Sequence, residues 1–321
     1  MSFTPKNLNV KYTFNVSRNR SKVWLISGFA VLISFLGFFF SWTNQSIGFP
    51  LRPGFDFTGG TQIILERKCD SECNKITTIN ISEAFNNAKF SNQETSQKLF
   101  DARIQFLDGY KSLLIRSPEL SPSESKEVIE SIEFVAGPLE DGGQSVESIG
   151  PTLGAKLLQT TLISLLVAFS CVAIYISIRF DRMFSLYALL ALFHDVLIVC
   201  GVFSWLGIIN EVEVNSLFAV ALLTIAGYSV NDTVVVFDRI REINKQESRM
   251  NFKQKVDFAV SATLTRTLYT SGTTLLPLIA LIFFGGTTLY WFAIALALGV
   301  VVGSWSSIAL VPSLLTLRKE N

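Results

Sequence analysis

A single stretch of this chain places a carboxylic acid inside a strongly apolar segment. Residues 227–242 read GYSVNDTVVVFDRIRE, with Asn231 and Asp232 at the centre, directly after the apolar run SLFAVALLTIA. An ionisable side chain inside a membrane helix costs about 2.5–3.5 kcal/mol on insertion scales and is a functional candidate by default. Thr224 and Tyr228 precede Asp232 in steps of four, so the three side chains share one helix face. We expect this polar face to point into a helical bundle; a structural aspartate that only binds a neighbouring helix is the alternative.

Arg266 is the candidate partner of this carboxylate. It lies in the stretch TLTRTLYTSGTTLLP, and Thr270 and Thr274 follow it at the spacing of one helix face. We predict that Asp232 and Arg266 lie near the cytoplasmic ends of neighbouring helices, where protonation of the carboxylate would release the arginine. The predicted proton pathway therefore contains Asp232, Arg266, Asn231, Thr270 and Thr274. In the alternative interpretation, Arg266 extends towards the lipid headgroups.

The one histidine of the chain, His194, stands next to Asp195 in the apolar run ALLALFHDVLIV. Imidazole titrates near neutral pH and can relay protons, so we add both residues to the predicted proton pathway. Neighbours on a helix point about 100° apart, so at most one of the two need face the bundle. A structural role with satisfied hydrogen bonds is an equally good interpretation.

Metal and nucleotide chemistry find no support in the sequence. One histidine without a nearby cysteine argues against a catalytic metal site, and neither an HExxH motif nor a GxxxxGKS/T phosphate loop is present. We therefore predict no enzymatic activity, no catalytic residue, no metal and no cofactor. A proton gradient is the expected energy source, because one charge that crosses 100 mV supplies about 2.3 kcal/mol.

Six apolar runs set the architecture that positions these residues. The chain has 321 residues, of which 49% are hydrophobic and 17% charged, whereas about a quarter of the residues of soluble domains are charged. The first run is too long for a signal peptide and lacks an A-x-A cleavage site, so we interpret it as a retained anchor. A bilayer core of about 30 Å needs about 20 apolar residues per helix, and six runs meet this length: 23–42, 157–178, 184–206, 216–237, 266–285 and 289–314.

The predicted fold is a polytopic α-helical membrane protein in five segments. They are a cytoplasmic N-terminus (1–22), transmembrane helix 1 (23–43), an extracytoplasmic domain (44–154), transmembrane helices 2 to 6 (155–315) and a cytoplasmic C-terminus (316–321). The segment IINEVEVN (208–215), between the third and fourth runs, and the segment GGTT (285–288), between the fifth and sixth, contain no Lys or Arg. We expect both on the outer side. Basic residues mark the cytoplasmic side, and they are Lys6, Lys11, Arg18, Arg20, Lys22, Arg179, Arg182, Arg239, Arg241, Lys245, Arg249, Lys253, Lys255, Arg318 and Lys319.

The polar segment between the first two runs predicts one small α+β domain. Alternating apolar residues predict strands at GGTQIILER, within 102–117 and at QSVESIG, with a two-residue hairpin turn at Asp108-Gly109. Helical spacing predicts one helix over Asn80–Phe90 with Ser82 as N-cap, and a second that begins at Ser121-Pro122. The order β-α-β-β-α-β is that of a ferredoxin-like fold. Such a domain fits a binding or moving part, and a passive spacer is the alternative.

Four cysteines complete the inventory of reactive side chains. Cys69 and Cys73 form the sequence CDSEC in the outer domain. An oxidising compartment permits a disulfide between them, and two free thiols are an equally good interpretation. Cys171 and Cys200 lie in the second and third apolar runs, where we expect inert packing roles.

Five motifs resemble those of the SecD–SecF family of protein-export membrane proteins, and the resemblance is greatest to its SecF members. It extends from about residue 20 to residue 317. The segment CDSECNKITT matches no family motif. The motifs are GFDFTGGT (54–61), VESIGPTLG (146–154), FHDV (193–196), AGYSVNDTVVVFDRIRE (226–242) and TLTRTLYTSGTTLLP (263–277).

The resemblance implies a proton-driven, RND-like half-bundle of six helices that pairs with SecD as a separate chain. It implies a complex that assists the SecYEG channel: SecA pushes preproteins from the cytoplasmic side, and SecD–SecF uses the proton gradient on the outer side. In the family, the carboxylate of the NDT motif and the arginine of the TRT motif are linked to proton passage, and they correspond to Asp232 and Arg266. The expected partners are SecD, SecYEG, functionally SecA, and unfolded preprotein, with no nucleic acid.

An RND-type proton-coupled transporter of small molecules is the alternative function. Against it, the outer domain of about 110 residues is smaller than the porter and docking domains of such pumps. An intramembrane protease that uses Asp195 and Asp232, and a passive scaffold of the translocon, have less support. The expected location is a cell inner (plasma) membrane, and a thylakoid membrane fits equally if the source is photosynthetic.

Overall fold

The structure is a computed structural model that describes residues 15–69, 73–88, 90–100, 102–107, 110–247 and 250–317. Some residues used in the predictions lie outside these ranges, namely Lys6, Lys11, Asp108, Gly109, Arg249, Arg318 and Lys319.

A π-helical turn, Ser306–Leu310, connects the last two helices. The elements follow in the order α1 (Val16–Thr43), α2 (Phe55–Thr58), β1 (Gly60–Arg67), α3 (Thr78–Asn87), α4 (Gln93–Phe100), β2 (Arg103–Leu107), β3 (Ser112–Ser117), α5 (Pro122–Ala136), β4 (Leu139–Ile149), α6 (Pro151–Arg179), α7 (Arg182–Ile209), α8 (Ser216–Gln246), α9 (Phe252–Phe284), α10 (Gly286–Trp305) and α11 (Val311–Leu315).

Six helical spans in the described part of the chain are long and apolar enough to cross a membrane. They are α1, α6, α7, α8, α9 and the continuous run Leu289–Leu315, which contains most of α10, the π-helical turn and α11. The predicted number of spans is confirmed. The chain is a polytopic helical membrane protein.

The helices extend well beyond the apolar runs that predict them. α8 continues nine residues past Phe237 to Gln246, through the sequence DRIREINKQ, because Arg, Glu, Lys and Gln favour helix when no packing decides. α9 begins fourteen residues before Arg266, where Asn251 forms a capping box with Gln254. Asp232 and Arg266 therefore lie in mid-helix, and their predicted positions near helix ends are wrong.

The chain divides into two compact units. The membrane unit contains the chain up to Arg52 and from Ser164 onward. The second unit contains Pro53–Ile163, and we call it the outer unit after its predicted location. Lipid is as apolar as the helices, so close packing rather than exclusion of water holds membrane helices together. Small residues permit this packing within the membrane unit. On α7, a Cβ added to Gly201 would lie 2.2 Å from the Cβ of Ser34 on α1.

The outer unit is built on a four-stranded antiparallel sheet in the order β2-β3-β1-β4. In the central strand β1, Ile63 pairs with Ile115 of β3 and with Val146 of β4. The predicted strands are confirmed, and Ile63 and Leu65 of β1 are buried. β4 begins at Leu139, five residues before the predicted segment QSVESIG. Helices α3 and α5 pack on one face of the sheet, and the core between them contains Ile63, Leu65, Ile81, Phe85, Leu113, Ile115, Val128 and Ile132.

Two helices of the outer unit, α2 and α4, are absent from the predicted order. α2 has only four residues. α4 reads QETSQKLF and buries Thr95 and Leu99, so its single apolar contact is too weak a pattern to predict a helix. The β2–β3 ladder ends at the pair Leu107 and Ser112, so four residues rather than the predicted two connect these strands.

Helix caps set the ends of the two larger helices of the outer unit. The N-cap of α3 is Thr77 and not the predicted Ser82, because the Oγ1 of Thr77 accepts a hydrogen bond from the backbone N–H of Asn80 at 3.3 Å. The prediction for α5 is confirmed: Ser121 is its N-cap, and Pro122 follows as the first helical residue.

A disulfide and a buried arginine fasten the end of β1. Cys69 and Cys73 are joined by a disulfide, which resolves the two interpretations of the CDSEC sequence. Arg67 is 4% exposed, and its guanidinium donates to three backbone carbonyls at 2.9–3.0 Å, those of Ala136, Asn74 and Tyr110. Burial lowers the pKa of Arg67. The arginine thereby ties the end of α5 to two loops.

Glu124 connects α4 to the start of α5. Its carboxylate accepts hydrogen bonds from the backbone N–H of Ser121 at 2.7 Å and from the Oγ1 of Thr95 at 2.7 Å, and Lys98 Nζ lies 3.4 Å away. The backbone hydrogen bond from Ser121, followed by that from Thr95, lowers the pKa of Glu124 to about 2. A carboxylate whose pKa is lower in the folded state stabilises that state above its unfolded pKa, and this stability is lost as the pH falls through the folded pKa.

We predict that Glu124→Gln lowers the free energy of unfolding of the outer unit by about 2 to 3 kcal/mol at neutral pH. The deficit should be complete above pH 4.5 and should disappear as the pH falls to about 2, because the wild-type carboxylate is then protonated in both states. Pulse proteolysis of the full-length protein in urea measures the difference. Glu130→Gln, which changes an exposed acid of α5, is the matched control. A deficit that stays constant down to pH 2 would contradict the assignment.

Candidate functional site

A buried carboxylate joins three elements of the membrane unit. Asp195 on α7 is 0% exposed, and its Oδ2 accepts hydrogen bonds from the Oγ of Ser229 on α8 at 2.6 Å and the Oγ of Ser306 in the π-helical turn at 2.7 Å. Its other oxygen, Oδ1, lies 2.9 Å from Nδ1 of His194. Three polar groups thus replace the water that this carboxylate loses in the bilayer. A charged carboxylate can be buried only when its water is replaced in this way.

The π-helical turn brings two serines to the interior. Pro312 has no N–H and cannot donate to the carbonyl four residues earlier, so the α-helical pattern fails just before it. The turn widens the helix at this point, and such turns occur frequently at functional sites. Ser306 reaches Asp195 in this way, and the Oγ of Ser307 lies 3.2 Å from the Oγ1 of Thr233 on α8.

Both His194 and Asp195 are buried, although neighbours on a helix point about 100° apart and only one of them need face the bundle. His194 is 7% exposed. α7 packs against α1, α8 and α10, so directions 100° apart on its surface are both covered. The buried Nε2 of His194 has no hydrogen-bond partner among the described residues, whereas Nδ1 is held by Asp195.

Asp232 on α8 is also buried, but its surroundings differ from those of Asp195. It is 3% exposed, and its Oδ2 accepts no hydrogen bond from any residue that the structure describes. A buried acceptor without a donor costs about 1–3 kcal/mol. A carboxylate kept at such a position is a candidate for a group that exchanges a proton.

Arg266 lies at the same depth as Asp232 on the neighbouring helix. Asp232 lies fourteen residues before the end of α8, and Arg266 lies fourteen residues after the start of α9. Five residues of sequence separate these two packed helices, and each side chain lies about 21 Å along its helix from the end where they are joined, at 1.5 Å per residue. Among the described ion pairs, however, none joins the two, and Arg266 is exposed.

The other predicted pathway residues of α8 and α9 do not present a row of free hydroxyl groups. Thr270 and Thr274 are half-buried, and each hydroxyl donates to the carbonyl four residues earlier in α9, at 2.9 and 2.8 Å. Asn231 is exposed on α8, next to the buried Asp232.

The polar face predicted on α8 is divided between the interior and the surface. Thr224 is exposed, Tyr228 is half-buried and Asp232 is buried. The expectation that the whole face points into a bundle is therefore wrong for this chain by itself. Part of the face is presented outward, at membrane depth.

Hydroxyl groups connect α8, α9 and α10, and two of them, those of Ser271 and Ser304, are not among the predicted functional residues. The Tyr228 hydroxyl donates to the Oγ of Ser271 at 3.0 Å, which lies 2.6 Å from the Oγ of Ser304. Polar residues within a span frequently mark helix contacts. The sequence signal for these contacts is the stretch GSWSSIALVPS, in which four serines interrupt the last apolar run: Ser304, Ser306, Ser307 and Ser313.

Comparison with known proteins assigns this arrangement of spans to a family. Residues 135–321 match the family described as "Protein export membrane protein SecD/SecF, C-terminal". The chain belongs to the SecD/SecF family. It is 37% identical over 291 residues to the protein translocase subunit SecF of a Synechocystis strain, which covers 91% of this chain and 90% of that protein. Identity to SecF of Vibrio alginolyticus is 33% over 323 residues, with 98% and 93% covered.

The likeness to the SecD/SecF family extends to three dimensions. The crystal structure of SecDF, a translocon-associated membrane protein from Thermus thermophilus, matches this structure with a TM-score of 0.78 and 30% identity. The match covers 98% of this chain and 40% of the SecDF chain. This member of the SecD/SecF family therefore corresponds to one part of a longer polypeptide in Thermus thermophilus.

We predict that Ser229→Ala and Ser306→Ala each lower the stability of the membrane unit by about 1–3 kcal/mol. The double variant should lose more than the sum, because Oδ2 of Asp195 then has neither donor. Thermal unfolding of the purified protein in lipid nanodiscs measures these losses. Ser164→Ala, at an exposed position of α6, is the control. Strictly additive losses would show that the two serines do not share the carboxylate.

Proposed function

We propose that this chain is the SecF subunit of the Sec protein-export machinery and acts in a complex with SecD. Relatives named protein translocase subunit SecF match it over more than nine-tenths of its length. A Thermus thermophilus relative is named protein translocase subunit SecDF, and this chain covers 34% of it. We infer that the remainder, supplied there by the same polypeptide, is supplied to this chain by a separate SecD.

Polar side chains exposed at membrane depth support a membrane-spanning partner. Thr224 and Asn231 on α8 and Arg266 and Thr273 on α9 are exposed in this chain. The hydroxyls of Thr224 and Thr273 donate to the carbonyls four residues earlier, at 2.9 Å each. Lipid offers no partner to Asn231 or Arg266, and a charged residue in a span normally faces protein or water. We infer that SecD covers this surface of α8 and α9 and that Arg266 is enclosed when it does.

Asp232 and Arg266 form the proton-responsive pair in our proposal. The observation that carries it is a buried Asp232 whose Oδ2 has no described donor, at the depth of a cation on the adjacent helix. Protonation of Asp232 removes its attraction for Arg266, and this change biases the contact between α8 and α9. Asn231, Thr270 and Thr274 line the pair, and Asp195 with His194 anchors the pathway on the side of α7.

The proton motive force is the energy source in this proposal. One charge that moves through 100 mV supplies about 2.3 kcal/mol. That energy shifts a two-state equilibrium by about fiftyfold. The subunit then acts as a motor component rather than as an enzyme, and no metal or cofactor takes part.

We further propose that residues 44–154 form an extracytoplasmic domain with a ferredoxin-like fold. The antiparallel order β2-β3-β1-β4 with α3 and α5 on one face supports this fold. The Cys69–Cys73 disulfide supports an oxidising compartment. Residues 1–22 and 316–321 are then cytoplasmic, and residues 23–43 and 155–315 span a plasma membrane, or a thylakoid membrane in a photosynthetic source.

On the outer side of that membrane, the domain assists late stages of translocation. SecA drives the preprotein into SecYEG from the cytoplasm, and the SecD–SecF complex promotes its release outward. The unfolded preprotein is the substrate, and nucleic acid has no part in this function.

The proposal predicts that Asp232→Asn abolishes the stimulation of preprotein translocation by a proton gradient. Vesicles that contain SecYEG, SecD and this chain would receive SecA, ATP and preprotein, with and without a gradient. Translocation driven by ATP alone should persist, because the variant changes only a group that exchanges a proton. Protease-protected preprotein is the measured quantity.

Asp238→Asn is the matched control for this experiment. It changes a carboxylate on the same helix that pairs with Arg179 at 3.0 Å at the surface. This control should retain the full stimulation by the gradient. Equal stimulation of wild type and Asp232→Asn would remove Asp232 from the mechanism.

A further inference from the structure

A groove of about 1190 Å³ runs along the outer unit between α5 and β4. One wall carries Ile129 of α5. The other wall is formed by Gln144, Val146 and Ser148, which alternate along β4 and so point to one face of the sheet. Val146 is 45% exposed although it pairs with the fully buried Ile63 of β1. The helices of the outer unit therefore leave the sheet uncovered at this end.

β4 is an edge strand of the sheet in the described part of the chain. Proteins usually protect such edges with Lys, Pro or a bulge, because unpaired backbone groups attract another strand. The segment 144–149 reads QSVESI and contains neither Lys nor Pro. A register shift separates it from the start of β4, where Arg67 pairs with Leu139. Six consecutive residues therefore pair with β1 in an unbroken register, and residues 144–148 are exposed on both faces.

We propose that an extended polypeptide segment binds in this groove as a fifth strand beside β4. Strand addition supplies affinity through main-chain hydrogen bonds, which do not depend on sequence. Alternate side chains of the bound segment would enter the groove and contact Val146 and Ile129, and the others would face solvent. A site of this kind suits a protein that must hold many different unfolded chains for a short time.

The charges of the groove favour a segment that carries lysine or arginine. Four glutamates and two lysines line it. Glu124 is engaged by Lys98, and Glu130 lies 3.9 Å from Lys126. The two remaining glutamates, Glu119 and Glu133, are exposed and have no cationic partner among the described ion pairs. The groove is therefore net negative, and basic side chains complement it.

That the bound segment belongs to a preprotein rests on the proposed export function. The binding mode itself rests only on the groove, the edge strand and the charges. Peptide binding needs neither SecYEG nor a proton gradient, so it can be tested separately. Loss of gradient stimulation would thus leave the groove proposal standing, and failure of peptide binding would leave the proton mechanism standing.

The test uses the full-length chain with SecD in lipid nanodiscs and a photocrosslinking residue, p-benzoylphenylalanine, in place of Val146. The probe is a biotinylated ten-residue peptide that alternates valine with lysine. A crosslink to this peptide is expected at position 146. The same residue placed at Glu147, which is exposed on the opposite face of β4, is the matched control and should crosslink weakly. Pulse proteolysis of both variants verifies that the outer unit is folded.

Two altered peptides decide how the probe is bound. N-methylation of alternate amides removes main-chain donors without changing side chains, and it should reduce crosslinking at position 146 by about tenfold. Replacement of lysine by glutamate should also reduce it, because the groove is acidic. Equal crosslinking at positions 146 and 147, or no effect of N-methylation, would overturn the proposal. A crosslink from position 146 to SecD that peptide does not displace would also overturn it, because the edge would then already be covered.

Discussion

Burying a carboxylate in a bilayer is the constraint on which the membrane unit depends. A charged oxygen that loses its water must receive hydrogen bonds, meet a cation or accept a proton. Asp195 follows the first route, with two serine hydroxyls on Oδ2 and an imidazole nitrogen next to Oδ1. Asp232 has no described donor on Oδ2 and lies beside a helix that carries Arg266. The satisfied carboxylate connects α7 to α8 and the π-helical turn, and the unsatisfied one is the group that we propose responds to protons.

The same constraint explains several backbone features. The π-helical turn before Pro312 allows Ser306 and Ser307 to reach α7 and α8, which a regular helix would not. Gly303 leaves room for this approach, since an added Cβ would lie 3.3 Å from the Cβ of Ser229. Small residues in the spans thus serve the polar contacts as well as the close packing of the helices.

Much of the fold can be predicted from the sequence, because bilayer thickness and strand geometry each impose a recognisable pattern of apolar residues. Bilayer thickness sets the length of the apolar runs, and the pleat sets the alternation in β1 and β3. Helix ends are harder to predict, because polar segments such as DRIREINKQ continue α8 without any apolar signal. α4 escapes prediction because it buries only Thr95 and Leu99.

The candidate site is only partly predictable for a related reason. Asp232, Arg266, His194 and Asp195 stand out because charge is rare in apolar runs. The serine hydroxyls that donate to Asp195 do not stand out. Ser229 and Ser306 become its donors only because of the way α7, α8 and the π-helical turn pack. The stretch GSWSSIALVPS shows that serines interrupt the last span, but it does not show that Ser306 contacts Asp195.

Infrared difference spectroscopy of the complex with SecD, recorded as the pH is lowered, tests the central claim most directly. The account predicts a carbonyl band of a protonated carboxylic acid that grows on acidification and is missing in Asp232→Asn. The same band should remain in Asp195→Asn, because Asp195 is held by its hydrogen-bond donors. A band that survives in Asp232→Asn and disappears in Asp195→Asn would assign the proton to the other carboxylate and contradict the account.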